Sequence, residues 1–362
     1  MFSYKHYINS ISAIFIVIIS SGFFYKICKT YLSEPLFLAV IFGAAFIFVL
    51  VLLDKNNFFL KKKFLIVLAL IVLGIQLWGL TFVKVPNYTA EFWIERFLNG
   101  SYPYFAFVGF GMPIFYSLLV PFYLIGNIAL SDSLGFVLLA LVIIGTLKES
   151  RESTIGFFIL LLSPMTFFGI LYFSGKILLS ALFILFMILT ARYREGKKYN
   201  VDNVLISVLF GFLVSSYFEM IFIVIIFYLF LYRNDLVKML TSFLITFISF
   251  LATLLPFIKP QNEFLFHNSI FSNSVFLHVF PLWGIILLLL AIIYIGWIVS
   301  NLQEIFFSLG IILFLVSGVE LLALGKATEI ISNFLMVLPF FIVSIRDYKV
   351  DEFLGRVYPN AN

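Results

Sequence analysis

Long apolar runs separated by short polar breaks fill almost the whole chain. The runs are 7–25, 35–53, 64–83, 113–129, 131–147, 155–172, 176–192, 203–232, 237–257, 280–299, 304–323 and 328–345. Most approach the roughly 20 apolar residues that carry a helix across a bilayer. The hydrocarbon core offers no water to backbone N–H and C=O groups, so such runs are expected as helices that pair them internally. The pattern predicts an all-α polytopic membrane protein.

The polar breaks carry basic residues, which mark the cytoplasmic side of short loops. The strongest marks are Lys55 with Lys61, Lys62 and Lys63, and then Arg192, Arg194, Lys197 and Lys198. Weaker marks are Lys148 with Arg151, Arg233 with Lys238, and Arg346 with Lys349. If both 113–129 and 131–147 crossed, the later basic loops would change sides. Pro113, Pro121 and Gly126 interrupt 113–129, which reads as a re-entrant or interfacial piece. The run 203–232 poses the opposite problem, and two short helices turning near Ser215, Ser216 and Tyr217 resolve it. The expected result is about twelve crossings with both termini cytoplasmic. Lys26 and Lys29 then fall outside, against the rule. Residues 1–63 form an amino-terminal pair of helices, 64–345 the main membrane domain and 346–362 a cytoplasmic tail.

Composition agrees with that reading. The chain is 63% hydrophobic and 11% charged, with a mean hydropathy of +1.14. Soluble domains are about 45–50% apolar and about 25% charged. The net charge of +5 sits in the loops, as topology marking requires, and gives no reason to expect nucleic acid. Cys28 is the single cysteine, so neither an intrachain disulfide nor a cysteine metal cluster can form. The first run follows Lys5 and His6 but lacks a small-x-small cleavage pattern, so it is expected to be retained.

On this topology the unusual polar residues gather on the outer side. Glu91, Glu95 and Arg96 lie in the first long outer loop, and Ser174 and Lys176 at the next outer turn. Glu219 follows, then Lys259, Gln261, Asn262, Glu263, His267, Asn268, Asn273 and His278 in the second long loop. Glu320, Lys326 and Glu329 surround the last turn. Ionisable groups at membrane depth are costly and are candidates for function, although each alone can snorkel or pair with a neighbour. Segment 88–99 predicts an amphipathic helix with Trp93, Ile94 and Phe97 on its apolar face. Glu91 and Glu95 are i,i+4, so they share a side. Two roles fit it: an interfacial helix anchored by Trp93 with Glu95 paired to Arg96 or solvent, or the carrier of a general base. The next residues, Gly100 to Tyr104 and then FAFVGFGMP, stop the helix and offer aromatics to a sugar ring or to the interface. There is no GxGxxG, Walker or HExxH motif, and the three histidines have no metal-ligand spacing.

A membrane-exit helix, an acidic outer loop, G-x-x-P-Y and a proline-broken apolar segment together resemble the C-type (GT-C) fold of membrane glycosyltransferases. The likeness is to bacterial glycosyltransferase family 87 and the mannosyltransferases of lipid-anchor assembly. Gly100, Pro103 and Tyr104 match G-x-x-P-Y, and Met112-Pro113 through Pro121 resembles the segment that follows it. Ser163-Pro164 and Ser174-Gly175-Lys176 resemble the family's "N-P … G-Q" pair, and Lys326 through Pro339 its closing segment. Gly211 with Tyr217 to Glu219 stands where the family has a glycine-containing helix and a lysine. The family keeps an Asp where this chain has Pro86. Either Glu91 takes that role through a shifted loop, or the chain is a divergent or inactive member.

The resemblance implies a GT-C-like bundle in the bacterial inner membrane. It implies transfer of a sugar such as mannose from a polyprenyl-phosphate donor to a lipid, glycan or protein acceptor on the outer face. Glu91 or Glu95 would be the base. Arg96, Tyr102, Tyr104, Lys176, Glu219, Lys259, His267 and Lys326 are the candidates for holding substrate or phosphate, with a bound divalent metal as an alternative source of positive charge. Two other functions compete: a surface-polysaccharide polymerase, and a non-enzymatic transporter or flippase. A transporter is expected to place polar groups near the midplane of two repeats, and no repeat is found.

Overall fold

The computed structural model describes residues 4–31, 34–55, 60–82, 88–103, 113–147, 149–163, 175–193, 201–217, 219–258, 282–324 and 327–345. These form fourteen helices and no strand. In chain order they are α1 (Tyr4–Tyr31), α2 (Pro35–Lys55), α3 (Lys62–Phe82), α4 (Tyr88–Leu98), α5 (Pro113–Ile125), α6 (Leu130–Thr146) and α7 (Ser150–Leu162). There follow α8 (Lys176–Tyr193), α9 (Val201–Val214), α10 (Met220–Tyr232), α11 (Leu236–Ile258), α12 (Leu282–Ile298), α13 (Leu302–Leu324) and α14 (Ala327–Ser344).

Among the described residues, five helices are long and apolar enough to cross a membrane: α1, α2, α3, α11 and α13. The bent pair α5–α6 makes a sixth if it counts as one span. The outermost helices turn apolar side chains outward, as with Phe37 and Val40 on α2, Trp78 on α3, Phe247 on α11 and Trp297 on α12. In water each such side chain would cost about 1.5–3 kcal/mol, whereas lipid accepts it. In contrast, α10 is apolar on all sides and lies inside the bundle, where nearly every residue from Met220 to Tyr232 is buried.

Tight contacts set the relative directions of the helices. Lys62 Nζ donates to the Leu147 carbonyl (3.0 Å) at one end of α3, and Asn127 Nδ2 donates to the Leu80 carbonyl (3.3 Å) at the other. So α3 and α6 run antiparallel side by side, and the chain between them leaves and returns at one end. Next, α6 and α8 run parallel. A Cβ on Gly135 would lie 2.5 Å from the Leu178 nitrogen, so only glycine permits this approach. Ser180 Oγ donates to the Met336 carbonyl (2.9 Å), which sets α14 parallel to α8. Thr246 Oγ1 bonds to the Ser207 carbonyl (3.0 Å) and Thr253 Oγ1 to Ser215 Oγ (2.5 Å), which sets α11 parallel to α9.

Two ends result. One, the near end, holds Lys62, Leu147 and the start of α7, together with a polar knot in which Gln303 Nε2 donates to Asn9 Oδ1 (2.7 Å) and the Ser344 carbonyl (2.9 Å). The far end gathers the ends of α3, α9 and α11, the starts of α6, α8, α10 and α14, and the short helices α4 and α5.

Three expectations meet the structure here. The amphipathic helix over 88–99 is α4, and the turn expected near 215–217 separates α9 from α10. Of the interruptions expected at Pro113, Pro121 and Gly126, the break falls at Gly126 and not at Pro121. Helix α5 runs through Pro121, and α6 leaves it at 110°. Proline at 121 removes only the N–H that would meet the Ser117 carbonyl and leaves the rest of the ladder in place. Gly126 has φ of 96°, and its N–H and that of Asn127 return to the Tyr123 and Phe122 carbonyls, a Schellman stop.

Candidate functional site

The far end is built around a lysine. Gly175 (φ 64°) ends the approach to α8, and Lys176 is the first helical residue. The exposed backbone N–H groups there are capped from another helix: Asp132 of α6, 2% exposed, accepts from Gly175 N (3.1 Å) and Ile177 N (3.3 Å). A carboxylate at a helix start gains from both the donors and the dipole. The cap fixes where Lys176 begins.

Lys176 is itself only 6% exposed. Its Nζ donates to Asn333 Oδ1 of α14 and lies 5.0 Å from the centre of the Tyr217 ring. A buried ammonium needs such partners, since desolvation alone would drive off its proton. Glu219, two residues beyond Tyr217, also acts on Lys176 electrostatically. Glu219 keeps part of its surface accessible. Burial pushes its carboxyl above the ordinary glutamate value, while a hydrogen bond from its own backbone and then the nearby Lys176 pull it back. Burial likewise pushes the Tyr217 hydroxyl up, with Tyr116, Glu219 and Asp132 adding to it. Ser131, Ser133 and Ser216, buried on the same two elements as Asp132 and Tyr217, have hydroxyls without a hydrogen-bond partner.

A ladder of rings joins this cluster to α4. Tyr217 meets Phe115 (4.9 Å), Phe115 meets Tyr116 (5.3 Å), and Tyr116 stacks on Trp93 (4.9 Å). Phe257 of α11 closes on Trp93 from another side (5.9 Å). Trp93 is therefore 2% exposed and part of the core, which corrects the alternative that made it an interfacial anchor. Its neighbour on the predicted apolar face, Ile94, is also buried, while Phe97 remains 43% exposed.

The polar side of α4 faces out. Glu91 is half-buried, and Glu95 is exposed and accepts from the Tyr123 hydroxyl of α5 (3.0 Å). Arg96 holds the following turn: its Nε donates to the Tyr102 carbonyl (2.8 Å), and its guanidinium lies over the Phe92 ring. Tyr102 donates its hydroxyl to the Phe257 carbonyl (3.0 Å). Arg96 and Tyr102 thus tie α4 to α11 in this structure. Gly100 (φ 68°) makes the Schellman stop of α4, which explains the glycine of the G-x-x-P-Y stretch without reference to a ligand.

Of the residues expected at the site, Glu91, Glu95, Arg96, Tyr102, Lys176 and Glu219 share the far end. Tyr104, Lys259, His267 and Lys326 lie outside the described residues. Sequence reasoning missed Asp132, Tyr217 as a ring partner, Tyr116 and Asn333. Asp132 carried a signal, a carboxylate inside the apolar run 131–147. Asn333 carried none, since a single amide gives no hint of its partner 157 residues away. Among the described residues no three His, Cys, Asp or Glu side chains group as a metal site. No family model, curated protein or solved structure matches the chain, so the case for this site rests on its geometry.

Proposed function

We propose that the chain is a membrane glycosyltransferase that takes a sugar from a polyprenyl-phosphate donor at the far end of the bundle, which faces outside. One observation carries this reading. A buried lysine held by Asn333 and the Tyr217 ring, and a helix bearing two carboxylates, reach the same end from distant parts of the chain, joined by a continuous run of ring contacts. The lysine supplies positive charge for a phosphate leaving group, and Glu91 or Glu95 supplies the base for an acceptor hydroxyl. The prenyl tail would remain in lipid beside the exposed apolar faces.

The topology belongs to the same proposal. The helices α1, α2, α3 and α6 to α14 run in alternating directions, giving about twelve crossings, with α4 and α5 kept on the outer side. Lys62, Arg151 and Lys238 then lie on the cytoplasmic side, as the basic-loop rule expects. Several of these helices are short: thirteen residues, as in α7 and α10, span only about 20 Å. Enclosure by neighbours relieves α10 of the need to match the bilayer. Single cysteines at Ser101 and Asn301, placed in a chain with Cys28 replaced, are expected to label with impermeant reagent from opposite sides of the membrane. Labelling of both from one side sinks the topology.

The function is tested by presenting purified protein in proteoliposomes with polyprenyl-phosphate hexoses and membrane glycolipid acceptors. The expected result is a new glycolipid with release of polyprenyl phosphate. Translocation of the donor without any transfer would replace this reading by the flippase one, and repeated elongation of an oligosaccharide would replace it by the polymerase one.

A further inference from the structure

Helices α2 and α3 leave between them a groove whose floor is α7. Each packs on α7, α2 also on α1 and α3 also on α6, but they make no comparable contact with each other. The link that joins them is pinned to the floor, where Leu60 N donates to Thr154 Oγ1 (2.9 Å). Thr154, Phe158 and Leu161 share that face of α7 at i, i+4 and i+7, with Arg151 one turn earlier. Thr154 is buried under the link, whereas Phe158 and Leu161 beyond it are only half-buried. Each of the three helices brings a cation to the near end. Lys55 ends α2, Lys61 and Lys63 stand at the start of α3, and Arg151 lies in the first turn of α7. Lys62 is turned inward to the Leu147 carbonyl and ties α3 to α6 instead. Lys55, Lys61 and Lys63 are exposed, and none forms an ion pair with a described residue. The nearby carboxylates, Glu149 and Glu152, close the capping box of α7. Topology marking accounts for basic residues in this loop, but not for their meeting at the head of an apolar groove.

We propose that this groove seats one anionic diacyl phospholipid, its headgroup phosphate among Lys61, Lys63 and Arg151 and its acyl chains along the Phe158–Leu161 face of α7. Charge favours that occupant. Basic pockets between helices at the membrane surface hold anionic headgroups, and a zwitterionic headgroup brings a cation of its own against the lysines. Length favours it too. The thirteen residues of α7 run about 20 Å, enough to floor one leaflet, which is about 15 Å of a hydrocarbon core of about 30 Å. The groove is also continuous with the lipid-facing side chains of its walls, such as Leu52 on α2 and Val67 on α3, so a lipid enters it sideways without leaving the bilayer. Once seated, the lipid fills the space that α2 and α3 leave between them and links the amino-terminal pair of helices to α3 and α7. On the topology proposed above it comes from the cytoplasmic leaflet. The seat does not depend on the transferase reading.

Native mass spectrometry tests this on the full chain in detergent with equal amounts of dioleoyl phosphatidylglycerol and dioleoyl phosphatidylcholine. The expected result is one phosphatidylglycerol retained per chain, in clear preference to phosphatidylcholine. Lys61→Gln/Lys63→Gln is expected to lower that preference by about tenfold or more, as the loss of two surface cations near an anionic lipid should. Leu161→Trp fills the floor without changing charge and is expected to lower retention as well. Lys238→Gln removes a cation from another basic loop at the near end and is expected to change nothing. Equal retention of the two lipids by wild type overturns the seat, and so does unchanged retention in Lys61→Gln/Lys63→Gln. A loss as large in Lys238→Gln shows general surface charge at work and overturns it too. Unchanged retention in Leu161→Trp overturns the placing of the chains on α7. Short-chain dihexanoyl phosphatidylglycerol is expected to displace the bound lipid, and sn-glycerol 3-phosphate is not. Displacement by both at equal concentration overturns the lipid as occupant in favour of a free phosphate. Should the variants fail to fold, this competition on the wild type decides alone.

Discussion

Replacing Glu91 with glutamine is expected to lower sugar transfer by about 10²–10⁴-fold, the usual loss when a general base is removed. Glutamine keeps the shape and loses the ability to accept the proton. The two carboxylates of α4 differ in their surroundings. Glu95 is exposed and already accepts the Tyr123 hydroxyl at 3.0 Å, a contact that explains it as part of the α4–α5 junction. Glu91 is half-buried in the first turn, one turn nearer the point where α3 leaves the bundle. Its charge also reaches Tyr123. Glu95→Gln retains a hydrogen-bond acceptor for Tyr123, so its effect is expected to stay within a few-fold. The measurement is transfer by purified proteins matched for thermal stability. Near-normal activity of Glu91→Gln moves the base elsewhere, and a reversed ranking moves it to Glu95.

Lys176→Met is expected to remove most donor binding while keeping the helix start. Methionine is unbranched, close in length and a good helix former, so it can occupy the stem's channel. The loss of a charge-assisted bond to a phosphate is worth about 1.5–3 kcal/mol, or roughly 10- to 100-fold in affinity. The apparent KM for donor is expected to rise by that factor, and kcat to fall as well if the lysine also steadies the leaving phosphate. Removing one partner of a buried charged pair commonly destabilises by about 3–5 kcal/mol. Here the loss is expected to be smaller, because Asn333, which accepts from Nζ, is uncharged. Lys176→Arg separates charge from shape: it keeps the cation but forces a larger planar group against Tyr217 and Asn333. Full activity in Lys176→Met would show that the lysine serves the fold alone.

Much of the architecture was legible because helix formation in lipid is a local matter. Each apolar run must pair its own backbone groups, so the runs and the helices agree closely. The amphipathic face of α4 was legible for the same reason, since residues 90, 93, 94 and 97 fall on one side of any helix. So was the turn at 215–217, because one 30-residue helix would have placed two basic loops on opposite sides. The basic loops set the expectation that 113–129 does not cross, and the structure shows α6 leaving α5 at 110°. What a proline does inside a helix was not legible. The outcome at Pro121 depends on whether neighbouring groups satisfy the backbone, and Gly126 stops the helix because it can adopt positive φ. The pairing of distant residues was decided only by the tertiary structure. Asp132 with Gly175, Lys176 with Asn333, and Trp93 with Tyr116 are contacts between helices, and hydrophobic periodicity states which face is buried but not against what. In lipid the apolar faces of different helices are nearly interchangeable. Close approach at Gly135 and the few buried polar groups choose among the possible neighbours, and they also set the candidate site in place.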